Sequence, residues 1–275
     1  MSKRMILTRN RFASLFWVFS IPTVFFLGSV PAEGQKSSYH GPRASDGKPD
    51  LSGVWQTMNT ADWDLLAHSA QAGLVLAAGA QGAEPGGESV VEGNEIPYLP
   101  AALATKKSNY EHRLTEDPEV KCYMPGVPRA IYQPFPFQIV QTPKTILMAY
   151  EFASASRTIY LANAPEAPAD SWMGHSVAHW DGDTLVVDVT SLSPKTWLDR
   201  AGDFHSAALH VVERYTPVSA DVIQYEATME DPKVYSRPWK ISMPVYRHLE
   251  KNAQLIEFKC VEFVEELMYG QYRKK

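Results

Sequence analysis

Three side chains with complementary proton chemistry, Asp199, His205 and Glu213, flank the start of one β-rich run, Ala207 to Tyr215. Carboxylates on either side of an imidazole form the kind of grouping in which environment drives pKa values apart, as general acid–base catalysis requires. In that reading His205 transfers the proton, Asp199 orients its ring, and Glu213 or His175 faces it across a cavity. The run alternates, with Leu209, Val211 and Tyr215 on its apolar face, and Glu213 shares that face. A carboxylate on a buried face needs a partner. Arg129, Arg157 or a histidine can supply one, so a structural ion pair accounts for Glu213 equally well.

A second constellation lies just upstream, where His175 and His179 are four positions apart. On a helix that spacing would form a metal pair, but a strand separates them by roughly 13 Å at about 3.3 Å per residue, too far to share one ion. They fall on the same side of a strand as Val177, so both line a cavity or both face water. Gly174-His175-Ser176-Val177-Ala178 approaches the G-x-S-x-G pattern. Its serine runs into a strand instead of standing on a strand-to-helix elbow, which argues against a serine hydrolase. Trp172, Trp180, Trp197, Tyr132, Phe135 and Phe137 belong to the same segments and either fill a core or line a barrel mouth suited to an apolar ligand. The candidate ligand-binding residues are His179, Trp172, Trp197, Tyr132 and Arg129. No cofactor or metal is expected, although His175, Asp199 and His205 are a set that distant residues could bring to one ion. The glycines from Gly73 to Gly87 follow neither the phosphate-loop nor the dinucleotide-fold spacing.

The elements that must position these residues read as strands. Ser176 to Trp180 and Thr184 to Val189 flank Asp181-Gly182-Asp183, a strong hairpin signal. Phe137 to Thr142, Thr145 to Glu151, Arg157 to Leu161, Val222 to Met229, Trp239 to Arg247 and Gln254 to Val261 are further β-rich runs between turn residues. Their regular spacing predicts an antiparallel meander, and closing it removes its edges. Asn59 to Arg129 differs: Ala61 to Ser69 and Pro97 to Arg113 have helical composition, and Ala70 to Gly93 is rich in Ala and Gly. This region is a partly helical insertion after the first strand, either a solvated loop or a lid over a cavity mouth. Glu262 to Tyr269 reads as a short terminal helix. The sequence Glu-Asp-Pro-x-Val occurs at Glu116 and again at Glu230.

The 275-residue chain opens with Lys3, Arg4, Arg9 and Arg11, then an apolar run from Phe12 to Gly28 and the small residues of Val30-Pro31-Ala32. That is the pattern of a secretory leader, which predicts residues 1–32 as a signal peptide and 33–275 as one domain in the periplasm or outside the cell. Removing four positive and no negative charges takes the formal charge from −5 to −9. An acidic protein is a poor partner for nucleic acid, and no later stretch has the roughly 20 apolar residues of a membrane-spanning helix. An oxidising compartment makes Cys122 and Cys260 a disulfide candidate. The sequence does not specify an oligomeric state.

Gly53-Val54-Trp55 resembles the opening of lipocalin-like (calycin) barrels. The segments DPEVKCYMPGVPR (Asp117 to Arg129), FQIVQTPKTILMAYEF (Phe137 to Phe152), SWMGHSVAHWDGDTLVVDVT (Ser171 to Thr190), WLDRAGDFHSAALHVVERY (Trp197 to Tyr215) and DPKVYSRPW (Asp231 to Trp239) resemble a large family of secreted bacterial proteins usually labelled hypothetical. That resemblance implies secretion and a β-rich fold and carries no activity with it. The expected architecture is all-β, an antiparallel up-and-down lipocalin-like barrel with its insertion at about 59–129. The expected function is cofactor-independent acid–base chemistry, of isomerase, hydratase, lyase or cyclase type, on a hydrophobic small molecule. The alternative is a binding protein with the same barrel and no turnover.

Overall fold

The computed structural model describes residues 39–72, 83–264 and 267, all within one unit of the chain, Lys36–Lys275. The predicted leader, residues 73–82 of the insertion and most of the predicted terminal helix lie outside the described residues.

Nine strands close into a barrel in chain order: β1 (Gly53–Thr57), β2 (Phe137–Gln141), β3 (Thr145–Tyr150), β4 (Ser156–Tyr160), β5 (His175–Asp181), β6 (Thr184–Thr190), β7 (His210–Ser219), β8 (Val222–Glu230) and β9 (Trp239–Arg247). The predicted hairpin is β5–β6, with Asp181 opposite Thr184 and Gly182 at φ 61° in the two-residue turn. Closure comes from β1 against β9, where Trp55 pairs with Arg247 and Thr57 with Val245.

Two features depart from the sequence reading. First, β4 and β5 run parallel, with Ile159 opposite Ser176, so the barrel is not a pure up-and-down meander. Strand parity requires this: nine strands that strictly alternate direction would bring β1 and β9 together parallel, yet that seam is antiparallel. One pair elsewhere must therefore be parallel, and the long 161–174 connection, with Pro165 and Pro168, provides the crossover. Second, Gln254 to Val261 is not a strand. β1 and Val91 of the insertion already lie along the free side of β9, so the segment has no partner for a ladder.

The insertion holds one α-helix among the described residues, α1 (Leu103–Glu116). It starts later than Pro97 because that stretch is pinned to the β8–β9 connection, with Tyr98 bridged to Tyr235 and the Leu99 N–H donating to Val234 O at 2.8 Å. Ala61 to Ser69 forms turns instead of a helix. The two Glu-Asp-Pro-x-Val sequences play one local role: Asp117 accepts the Glu119 N–H and Asp231 the Lys233 N–H, each at 3.0 Å. Each aspartate then holds a distant element, Asp117 through Arg129 and Asp231 through Ser206.

Inward side chains of the strands form one hydrophobic cluster, crossed by a buried polar group. Arg157 Nη2 on β4 meets Glu213 Oε2 on β7 at 2.6 Å, and the hydroxyls of Tyr215 and Tyr225 donate to Glu213 Oε1 at 2.8 and 2.9 Å. The partner required for Glu213 is thus Arg157, and the pair is structural. Arg157 Nε and Nη1 find no partner among the described residues. Because a broken buried pair costs more than an absent one, Arg157→Met should lower unfolding free energy by about 3–5 kcal/mol. Arg157→Met combined with Glu213→Leu should recover most of that loss in chemical denaturation. A single variant as stable as the wild type would contradict the cross-barrel pair.

Candidate active site

The structure does not assemble the residues singled out in the sequence into one site. His205 is buried, with Nδ1 2.8 Å from Ser206 O and Nε2 2.6 Å from Thr196 Oγ1. The carbonyl can only accept, so Nδ1 carries a proton, and the one proton of the Thr196 hydroxyl is shared between Nε2 and the Ser193 carbonyl at 3.1 Å. Burial pushes the His205 pKa down, against the pull of the Ser206 carbonyl and Asp231. Asp199 does not orient this ring: its oxygens accept the N–H groups of Leu65 at 3.0 Å and Asp203 at 2.9 Å. Burial, then Asp203, raises its pKa well above the usual carboxylate range. Asp64, Asp199 and Asp203 converge closely enough to suggest a cation site, and the cation beside Asp203 is Lys106, at 2.9 Å.

His175 and His179 lie on the outer face of the barrel, but only His179 faces water, since the Nε2 of His175 is buried. Ser176 and Ala178 are buried between them, while His179 is exposed and His175 stacks on Tyr160 at 5.7 Å between ring centroids. Trp172 lies half-buried against Tyr123, Trp197 is buried in a bridge with Phe204, and the Tyr132 hydroxyl donates to Leu198 O at 2.7 Å.

A different constellation has the attributes of a site. Asp117 starts a tight turn, Pro118–Lys121, that presents Glu119. Arg129 is fully buried and receives three carboxyl groups: Asp62 at 2.8 Å, Asp117 at 3.0 Å and Glu119 at 2.7 Å. Gln133 Nε2 donates to both Asp62 and Glu119. Burial raises the Glu119 pKa well above its ordinary value; Arg129 opposes this, and Asp62 and Asp117 add to it. The net direction is upward because one guanidinium is divided among three carboxyl groups, with Arg200 a lesser cationic influence.

Glu119, Asp62 and Gln133 form the polar end of a half-open cavity of about 340 Å³. Its apolar wall centres on Phe258, whose ring lies 5.1 Å from Phe135 and 5.0 Å from Phe152. Phe258 comes from the segment that follows β9, and the disulfide between Cys122 and Cys260, with Cα atoms 5.7 Å apart, holds that segment in place. Of the residues singled out from sequence for an apolar ligand, Phe135 lines the cavity; none of the named catalytic or ligand-binding candidates does, although Arg129 stands directly behind Glu119. The usable signal was the cysteine pair, which brings Phe258 beside the turn that carries Glu119.

Comparison with models of protein families, with curated proteins and with solved structures gave no match.

Because the folded pKa of His205 lies below the unfolded value of about 6.5, its buried neutral form resists protonation. Its contribution to stability is complete above that value and is lost as pH falls from it toward the folded pKa. Melting temperature measured from pH 7.5 to 5 should therefore fall more steeply for the wild type than for His205→Gln. Parallel profiles would show that His205 is not a buried neutral ring.

Proposed function

We propose that the protein acts in the periplasm or outside the cell, binding a hydrophobic small molecule in the Phe135–Phe152–Phe258 cavity and performing acid–base chemistry on it. The proton-transfer group in this reading is Glu119, not His205. The observation that carries the proposal is the placement of a pKa-raised carboxyl group, beside Asp62 and Gln133, in the lining of a mainly apolar cavity that Arg200 and Lys259 also line. The cavity volume lies at the lower end of the usual range of about 300–1,000 Å³ for small-molecule sites. A carboxyl group of raised pKa holds its proton to higher pH than a free one and is a stronger base once it has lost it, which suits proton movement next to a carbonyl, as in isomerisation or elimination. Gln133 and Arg129 fix its orientation, and the phenylalanines keep water from the apolar part of the ligand. The disulfide fits an oxidising compartment, and among the described residues no helix is long and apolar enough to cross a membrane.

A second reading, binding without turnover, has one observation in its favour: both Glu119 oxygens already have partners, Gln133 and Arg129. Two experiments separate the readings. Fluorescence titration with N-phenyl-1-naphthylamine should show binding to the wild type and a loss of about ten-fold or more in Val120→Trp, which fills the cavity. Deuterium uptake from D2O at the carbon next to the carbonyl of a hydrophobic cyclic ketone should be catalysed by the wild type and fall by about 100-fold or more in Glu119→Gln. Equal probe affinity in Val120→Trp would overturn the site, whereas binding without deuterium uptake would leave only the binder.

Glu119 also predicts a pH dependence opposite in sign to that of His205. Its folded pKa is raised above the unfolded value of about 4.3, so the stabilisation it provides is complete below that value and is lost as pH rises through the folded pKa. Glu119→Gln should flatten the decline in melting temperature over this rising-pH window, and an unchanged slope would show that the carboxyl pKa is not raised.

A further inference from the structure

We propose that the Cys122–Cys260 bond is a redox latch on the cavity, so that a dithiol reductant frees the segment after β9 and removes one wall. This rests on the proposed role of the cavity for its functional meaning, but its physical basis is separate. Of the fifteen residues lining the cavity, six belong to this segment: Phe258, Lys259, Cys260, Val261, Phe263 and Val264. From Tyr246 to Val264 no residue is buried, so the segment contributes little to the hydrophobic core. Beyond His248, which is hydrogen-bonded to Val54 and Gln56 beside the seam, its other ties among the described residues are few. The Ile256 N–H donates to Glu151 Oε2 at 2.9 Å, the Phe263 N–H donates to Val120 O at 2.8 Å, and Phe258 packs on two rings.

Such a segment opens at low free-energy cost once its covalent tie is cut, because local stability follows buried contacts. The barrel does not depend on it, since the β1–β9 seam closes before the segment begins. Both cysteines are half-buried, which leaves the bond within reach of a small thiol. Cys122 also ends the turn that presents Glu119: it adopts φ 62° and its N–H donates to the Glu119 and Pro118 carbonyls. Breaking the bond therefore loosens the apolar wall and the support of the polar end together.

The exchange needs a dithiol and nothing else. One reductant thiolate attacks a sulfur of the bond, expelling the other cysteine as thiolate, and the second reductant thiol resolves the mixed disulfide. Two electrons and two protons pass to Cys122 and Cys260, and the reductant becomes the disulfide.

The full chain, oxidised and then treated with dithiothreitol, tests this by three measurements. Tryptic cleavage after Lys251 or Lys259 should accelerate about ten-fold or more on reduction, as expected when the open population governs cutting. N-phenyl-1-naphthylamine affinity should fall by about ten-fold, as the binding-competent fraction falls. The β-sheet circular dichroism should persist. The double variant Cys122→Ser/Cys260→Ser should behave as the reduced protein and ignore dithiothreitol. Unchanged cleavage on reduction overturns the latch, and so does loss of the sheet signal in the same step, which would make the bond a staple of the whole fold. Unchanged probe affinity despite faster cleavage likewise overturns it. An oxidised protein that binds no probe removes the proposed function instead, while the cleavage rates still decide whether the segment is released.

Discussion

Closure of the sheet at the β1–β9 seam is the constraint on which the rest of this structure depends. Once Trp55 and Arg247 are paired, little strand edge remains: Val91 of the insertion bridges Ile241 of β9, and the rest of the inserted and later segments attach mainly through turns, side chains and a covalent bond. The same closure, made antiparallel with an odd number of strands, forces the parallel β4–β5 pair. The inward faces pack into a core crossed by Arg157 and Glu213, which gives the barrel a polar strut between β4 and β7. Such a strut adds register specificity more than net stability, because the desolvation of both charges offsets most of their attraction.

The candidate site follows from where the chain has surplus length. The insertion between β1 and β2 carries Asp62, Asp117, Glu119, Arg129 and Gln133, and the segment after β9 brings Phe258 against Phe135 and Phe152. The insertion touches the sheet edge at one bridge, Val91 to Ile241 of β9, the segment after β9 forms no strand, and the two pieces are connected through the disulfide between Cys122 and Cys260. The cavity is thus built on the barrel by its two attachments and not inside it. Elsewhere in the insertion, α1 buries none of its residues. It is docked by Lys106 and Asn109 on the carbonyls of Ala201 and Gly202. Gly202, at φ 86°, admits this close approach, since an added Cβ would fall 2.7 Å from Asn109 Cβ.

Much of the barrel was legible because strand signals are local. Alternation along Val222 to Met229, the Asp-Gly turn and the β-rich runs from Phe137 onward each depend on neighbours in the chain. The parallel pair was not legible, because the direction of β5 relative to β4 depends on a non-local parity condition. Gln254 to Val261 misled for a related reason: its composition suits a strand, but strand formation requires a free edge. Glu213 was read correctly as needing a partner because burial follows from period two. Glu119 was passed over because a single glutamate after Asp-Pro looks like any turn residue. Its character comes from Asp62 and Arg129, which are distant in sequence, and no local pattern encodes that convergence.

The long insertion also has a kinetic consequence. β5 to β9 each pair with the next strand in the chain, the longest connection among them being 191–209, whereas the closing seam joins position 55 to position 247. Contacts between positions so far apart form late, because the entropy of closing the intervening chain is lost before they contribute. Until β1 docks, the facing edges of β2 and β9 are open templates for another chain, so the incomplete barrel is exposed to intermolecular pairing while it folds. Val140, Leu147 and Val177, already exposed on the outer wall of the finished barrel, would add apolar surface to such an encounter. The feature that leaves the folded protein little free edge therefore concentrates its aggregation hazard in the interval before the seam closes.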